Sequence, residues 1–345
     1  MRQWQIAGGF GLSHLALDTA EPPVPGPGEV LVRLCAMSLN FRDTIILHGM
    51  YGGKQPLPLI PLSDGAGVVE AVGGDVTGFA PGDRVTTVFH QGWQGGEPSL
   101  ERLSHALGAG HVPGVACDYR LFRPEGIVRT PDHLSDLEAA ALPCAAVTAW
   151  AALVADCRVE PGETVLIEGT GGVSMFALQF AHAMGMRTIV TSSSDDKLAR
   201  ARTLGADETL NYKTVPEWGK AVRTLTGGRG VDHVIEVGGA GTLEQALKAV
   251  RIGGRIAAIG VLSGVKTELT LPLLFMQHVR MQGISVGSRD MHEAMNTFLA
   301  QTALKPVIDT PVFAFDALPK AYEHMIARRH FGKICIDNDA GAAAA

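Results

Sequence analysis

The sequence predicts an α/β fold in which a doubly wound parallel sheet is joined to a β-rich module, and three observations carry that expectation. From Thr164 the chain reads TVLIEGTGG and continues as VSMFALQFAHAMG, an apolar strand that turns through glycines into an amphipathic helix. Strand-like and helix-like segments then alternate: a strand over 188–191, a helix opened by Ser194 with Asp195 and Asp196 in its first turn, a strand over 231–237, a helix from Thr242 and a strand over 254–261. The part before residue 127 has another texture. EPPVPGPGEVLVRLCA, GAGVVEAVG and PGDRVTTVF are short β runs punctuated by proline and glycine, with no helical period between them.

Each element has a local reason. Gly169 suits the tight turn after the strand, Gly171 permits close approach of a ligand to the backbone, and Gly172 and Val173 open the helix whose free N–H groups favour an anion. This is the geometry that holds a dinucleotide diphosphate. Ser174 stands where a third glycine is usual and is small enough to pack there. A length of 345 residues suits two domains, expected over 1–127 and 128–290 with a return to the first over 291–345. The net charge of −6, without a long charge run, speaks against nucleic acid as a partner. The uncharged stretch 139–155 is alanine-rich and contains Pro143 and Thr148, so it reads as a buried helix and not a membrane span. The start, MRQWQIAGGFG, lacks the apolar core of a signal peptide, and five scattered cysteines suit free thiols in a reducing compartment. A soluble cytoplasmic protein is expected. The glycine-rich segment 90–118 reads as a lobe on the substrate side, and the last residues, DNDAGAAAA, as a disordered tail.

In their order, EPPVPGPGEVLVRL, GAGVVEAVGGDVTGFAPGDRV, LPCAAVTAW, the glycine turn, DKLARARTLGAD, GVDHVIEVGG, GGRIAAIG and HFGKICI resemble the blocks of medium-chain dehydrogenase/reductases over essentially the whole chain. The resemblance implies a GroES-like catalytic domain and a Rossmann dinucleotide-binding domain. It also implies a choice between a zinc and a zinc-free branch. Asn40 stands where the zinc enzymes have their first cysteine, and Leu62-Ser63-Asp64 replaces their Gly-His-Glu block, so Cys144 alone survives of the catalytic ligands. The lobe that would carry four structural-zinc cysteines has only Cys117. One thiol cannot hold a catalytic zinc, so no metal is expected and Cys144 reads as a small buried residue.

LNFRD at 39–43 followed by Gly49-Met50-Tyr51 is similar to the corresponding block of enoyl reductases and quinone oxidoreductases in the zinc-free branch. That resemblance implies that Asn40 orients a reacting carbonyl, that Tyr51 faces the nicotinamide as a proton donor, and that His48 shares proton traffic. Asp43 is expected to be structural, and Arg42 to pair with a carboxylate in its own domain. Many quinone reductases have arginine where this chain has Leu47, and zinc enzymes have a relay serine or threonine at Arg42.

An acidic residue normally ends the second strand of such a sheet and binds the adenosine ribose of NAD; here Ser192 and Ser193 stand there, with Lys197 close behind. With Tyr212, these residues imply contacts to a 2′-phosphate and hence NADPH in preference to NADH. The resemblance further places Thr148, Val237, Gly238, Gly260, Val261, Gly287 and Ser288 around the nicotinamide and Lys333 at the diphosphate. The expected activity is zinc-independent, NADPH-dependent transfer of hydride to a polarised C=C or a quinone. The alternatives are alcohol or aldehyde chemistry, and a non-enzymatic NADPH-binding role. Trp93 and Phe89 suggest a small apolar substrate, with Tyr51, the 90–118 lobe and a helix over 272–278 as pocket walls. A homodimer joined through sheet edges is expected, because an exposed strand edge seeks a partner.

Overall fold

A computed structural model describes residues 1–52 and 55–339, and the chain divides into two units, Met1–Val147 with the segment from Gly287 onward, and Thr148–Val286. Of the expected tail, residues 337–339 are part of the first unit, with Asn338 buried and its Nδ2 donating to Leu34 O at 2.7 Å, which corrects the expectation of disorder there, and residues 340–345 lie outside the described residues. In the first unit the proline- and glycine-punctuated runs become β1 (Arg2–Ile6), β2 (Leu15–Thr19), β3 (Val30–Ser38), β4 (Asp64–Val72), β5 (Arg84–Thr87), β6 (Tyr119–Phe122) and β7 (Ile127–Arg129). The second unit contributes β8 (Thr164–Glu168), β9 (Arg187–Ser192), β10 (Glu208–Asn211), β11 (Val231–Glu236), β12 (Val250–Ala258) and β13 (Arg280–Gly283), and the returning chain adds β14 (Phe313–Ala314) and β15 (Cys335–Asp337) to the first.

The first unit is built on the order β14-β15-β3-β4-β5-β7, with β6 also paired to β3. β3 is central, and eight of its nine residues are buried because strands or core cover both its faces. The first unit runs on to Val147, twenty residues past the expected boundary, for a visible reason: β7 pairs with β5, and the helix Asp136–Ala140 packs on β3 and β4. The stretch 139–155 is helical, as its composition suggested, but it is π-wound over Leu142–Ala146 and Ala151–Asp156. The 90–118 segment is packed and not a loose loop. Trp93, Leu107, Val115 and Ala116 are buried, and its backbone is tied through Gln91 N to His105 O at 2.9 Å and Leu107 N to Phe89 O at 3.1 Å.

The second unit has a wholly parallel sheet in the order β10-β9-β8-β11-β12-β13. All five residues of β8 and all six of β11 are buried, as strands covered on both faces are, including Asp232, His233 and Glu236 of β11. The chain leaves β8 toward β9 and β10 on one side and later returns to β11 on the other, so the order reverses between β8 and β11. In such sheets that reversal is where ligands bind, outside the carboxyl ends of the strands. Among the described residues no helix is long and apolar enough to cross a membrane.

Candidate functional site

At the carboxyl end of β8, Gly169 turns the chain with φ +75° while its N–H donates to Thr191 O at 2.8 Å. A side chain there would be strained by that left-handed backbone. Gly171 precedes the helix Gly172–Ala183, whose first N–H groups have no acceptor within the helix. Ser174 shows why the third glycine is dispensable: its hydroxyl donates to Glu168 O at 2.6 Å, so the buried polar group is satisfied against the strand itself. Gly260 answers to packing. A Cβ on it would lie 2.1 Å from Val237 O, so this loop can approach the end of β11 only as glycine.

Ser192, Ser193, Lys197 and Tyr212 gather at the ends of β9 and β10, one strand from the glycine turn. Tyr212 N donates to Ser192 O at 3.1 Å, and Lys197 lies in the first turn of the helix Asp195–Thr203, its N–H donating to the Ser194 hydroxyl at 3.4 Å. Asp195 is the nearby acid, and it accepts from Asn211 Nδ2 at 2.8 Å. Val237, Gly238, Gly260 and Val261 stand at the ends of β11 and β12, and Thr148 is buried in the first helical turns of the same unit. Gly287 and Ser288 fall in the other unit, and Ser288 caps the helix Arg289–Thr302 by accepting from Met291 N at 3.3 Å.

Sequence reasoning missed a pair of carboxyl groups behind the glycine turn. Glu168 ends β8 and Glu236 ends β11, both buried; Gly238 N donates to Glu168 Oε2 at 3.3 Å, and Gly239 N and the Thr242 hydroxyl donate to Glu236 Oε1. Burial first, and then the charge of Glu236, push Glu168 well above the usual carboxylate range. Two strands distant in sequence meet here, and no local pattern reports it.

In the first unit the candidate site is built around Asn40, which precedes the helix Phe41–Leu47. Lys333 corrects an expectation. Its ammonium is buried, 2% exposed, and donates to Asn40 Oδ1 at 2.7 Å, Leu39 O at 2.9 Å and Asp64 Oδ2 at 3.2 Å. Its three protons are thus used inside this unit, which leaves none for a diphosphate. Asp64 is held further by Ser38, by Ser63 at 2.7 Å and by Cys144 N at 3.3 Å. Because the ammonium claims the amide oxygen, Asn40 Nδ2 faces away from it, buried and with no hydrogen-bond partner.

Asp43 Oδ2 accepts from Asn40 N at 2.7 Å; burial raises its carboxyl to about 6 against the lowering effects of Arg42 and that N–H. Among the described residues Arg42 has no salt bridge at contact distance, although its charge acts on the Asp43 carboxyl of the same unit; its guanidinium stands by the rings of Phe89 and Tyr51, 4.5 and 5.0 Å from their centroids. Tyr51 is half-buried against the core, whereas His48 is exposed with Nδ1 2.7 Å from Thr44 O. Cys144 lies in no disulfide, and burial pushes its thiol up. The structure therefore brings Asn40, Arg42, Tyr51 and Lys333 together and leaves His48 at the surface.

The comparisons agree with this architecture. The family described as alcohol dehydrogenase GroES-like domain matches residues 26–132, and that described as zinc-binding dehydrogenase matches 172–301. A zinc-type alcohol dehydrogenase-like protein of Schizosaccharomyces pombe is 43% identical over 336 residues, covering 95% of this chain and 96% of its own. A crystal structure from Sinorhizobium meliloti 1021, assigned to the alcohol dehydrogenases, superposes with a TM-score of 0.90 at 41% identity, over 97% of this chain and 98% of its own. A 2-haloacrylate reductase from a Burkholderia species is 29% identical, covering 90% of this chain and 91% of its own. The chain belongs to the medium-chain dehydrogenase/reductase superfamily, with a GroES-like unit and a Rossmann unit, and is an NAD(P)-dependent oxidoreductase.

Glu168 supplies a stability test. A carboxyl whose folded pKa is raised contributes stability at low pH that is lost as the pH rises toward that raised value. Glu168→Gln cannot ionise, so it should match the wild type in melting temperature near pH 4 and exceed it increasingly as the pH rises above the ordinary carboxyl value of about 4.5, by differential scanning calorimetry.

Proposed function

We propose that the chain is a zinc-independent, NADPH-dependent reductase of polarised C=C bonds, with quinones as related acceptors. The observation that carries this reading is the Asn40 amide, locked by Lys333 so that its N–H groups are the free end. Zinc does not fit these donors. Asn40 Oδ1 and Asp64 Oδ2 already bind an ammonium, which leaves Cys144 alone where a catalytic zinc needs about three protein ligands. Two cations would have to share one set of oxygens.

The dinucleotide fits better. The turn at Gly169, the helix start at Gly172 and the cluster of Ser192, Ser193, Lys197 and Tyr212 offer backbone donors and a cation without an acid at the end of β9. When bound, the nicotinamide supplies the hydride. Asn40 Nδ2 donates to the substrate oxygen on which negative charge develops, and the Lys333 charge behind Oδ1 polarises the amide and strengthens that donor. Tyr51 delivers the proton to carbon. No step falls to His48, which is exposed and bound to a helix carbonyl. The relative that reduces a 2-haloacrylate is consistent with C=C chemistry on a related chain.

A second copy of the chain is the proposed partner. All four residues of β13 are exposed at the sheet edge, as are Leu271, Phe275 and Met276 nearby, so an unpaired edge and apolar surface lie together. Light scattering should give twice the chain mass at micromolar concentration; a monomer there rejects the pairing.

NADPH should be preferred to NADH by about ten- to a hundred-fold in kcat/KM, the worth of one charge-assisted contact. Lys197→Ala should remove most of that margin, and equal constants in the wild type would refute the cofactor assignment.

After exhaustive chelation the protein should still oxidise NADPH with small enones. Asn40→Asp keeps an oxygen on Lys333 but deletes the N–H, so kcat should fall about ten- to a thousand-fold with little change in NADPH affinity. Metal-dependent turnover, or full activity in Asn40→Asp, would overturn the mechanism.

A further inference from the structure

At the amino ends of its strands, away from the glycine turn, the second unit has an open cavity of about 440 Å³ lined by Arg223, Gly228, Arg229, Arg251 and Ile252. No acidic side chain is among these walls. Because β8, β11 and β12 run parallel from Thr164, Val231 and Val250, the five residues of β8 separate this rim from Gly169 by roughly 15 Å, at about 3.3 Å per residue. The cavity is therefore distinct from the surface proposed for the dinucleotide.

Three guanidinium groups meet there, and each is held in place. Arg223, in the helix Trp218–Leu225, donates only to neutral acceptors: Lys248 O at 3.0 Å, Gly228 O and Arg229 O at 3.3 Å, Val250 O at 2.7 Å and Gln277 Oε1 at 3.1 Å. Arg229 Nη1 and Nη2 donate to the two oxygens of Asp232 at 2.9 and 2.6 Å. Arg251 Nε donates to the same carboxylate and its Nη1 to Ile252 O at 2.8 Å, while Thr164 N adds a further donor to Asp232 at 2.9 Å. Asp232 is thus buried and fully engaged. Glu163, the other acid whose charge reaches Arg229, lies 2.7 Å from His233 Nε2. Two carboxylates stand against three guanidiniums, so one positive charge is left over beside a concave wall, where a field of one sign is concentrated.

Donors remain on that wall. Arg229 Nε and Arg251 Nη2 have no hydrogen-bond partner among the described residues, and the two side chains are 56% and 28% exposed, so a ligand has access to both without opening the core. Their guanidiniums are fixed side by side on one carboxylate, which spares a ligand the cost of ordering them. A planar carboxylate with a single charge matches one fork; a tetrahedral phosphate carries up to two charges and presents oxygens to donors lying in different planes. We propose that this cavity binds the phosphate group of a small molecule, with Arg229 and Arg251 as hydrogen-bond donors, Arg223 as a fixed charge behind them and Ile252, 66% exposed, as an apolar wall for any organic part. Free phosphate and a phosphomonoester share this chemistry, and the test separates them. The inference is independent of the reductase reading.

Binding of phenyl phosphate, inorganic phosphate and benzoate to the full chain, with NADPH present in excess and at constant ionic strength, is measured by isothermal titration calorimetry. The wild type should bind both phosphates at one site and benzoate far more weakly. A tighter phenyl phosphate makes an ester the ligand, and equal Kd values make it free phosphate. Arg229→Gln leaves Asp232 to Arg251 and Thr164 N, and it should raise the phosphate Kd about ten-fold, the worth of one charge-assisted contact. Ile252→Glu puts a carboxylate on the cavity wall and should abolish binding. Lys320→Gln, which removes an exposed charge of the first unit, should change nothing. If Arg229→Gln does not fold, Ile252→Glu at its exposed position carries the comparison. Absence of saturable phosphate binding in the wild type at millimolar concentration overturns the proposal, and so does an unchanged Kd in the cavity variants. Benzoate binding as tight as phosphate marks charge attraction without a phosphate site and also overturns it. Binding seen only when NADPH is omitted assigns the phosphate to the dinucleotide surface, and the proposal fails there too.

Discussion

A single buried ammonium organises the catalytic unit. Lys333 reaches the site from the returning chain, between β14 and β15, and its hydrogen bonds join it to Leu39 and Asn40 after β3 and to Asp64 at the start of β4. Such a charge is tolerable in the interior only when every proton is matched, and here every one is. The same match fixes which way the Asn40 amide points. Without the ammonium, the oxygen and nitrogen of that amide could exchange places; with it, the donor end is the free end.

The second unit reaches a similar solution with opposite charge. Glu168 and Glu236 end the two strands that flank the reversal of strand order, and their burial together pushes Glu168 well above the usual carboxylate range. Their oxygens are met by Gly238 N, Gly239 N and the Thr242 hydroxyl, so the pair holds the loop after β11 against the end of β8. The glycine turn begins at the next residue. The turn is thereby held from behind by the pair.

The superfamily includes chains named for zinc, and this one has its fold. On the proposed reading, an ammonium stands among Asn40 and Asp64 and polarises substrate through an intervening amide. A fixed positive charge is retained, and its reach is longer by one hydrogen bond.

The sequence by itself determined the elements whose signals are local. The glycine turn, the Ser194 cap, the alternation of strands and helices and the β texture before residue 127 all follow from nearest-neighbour chemistry, and each appears in the structure. What the sequence did not determine was which charges meet. Lys333 looked like a diphosphate ligand, because a side chain's partner depends on what packing brings within about 3 Å. Residues 40, 64 and 333 are joined only once β15 has paired with β3, and residues 168 and 236 only once β8 lies beside β11. Such meetings are set by strand order and burial, which are properties of the whole sheet, and no segment of the chain encodes them alone.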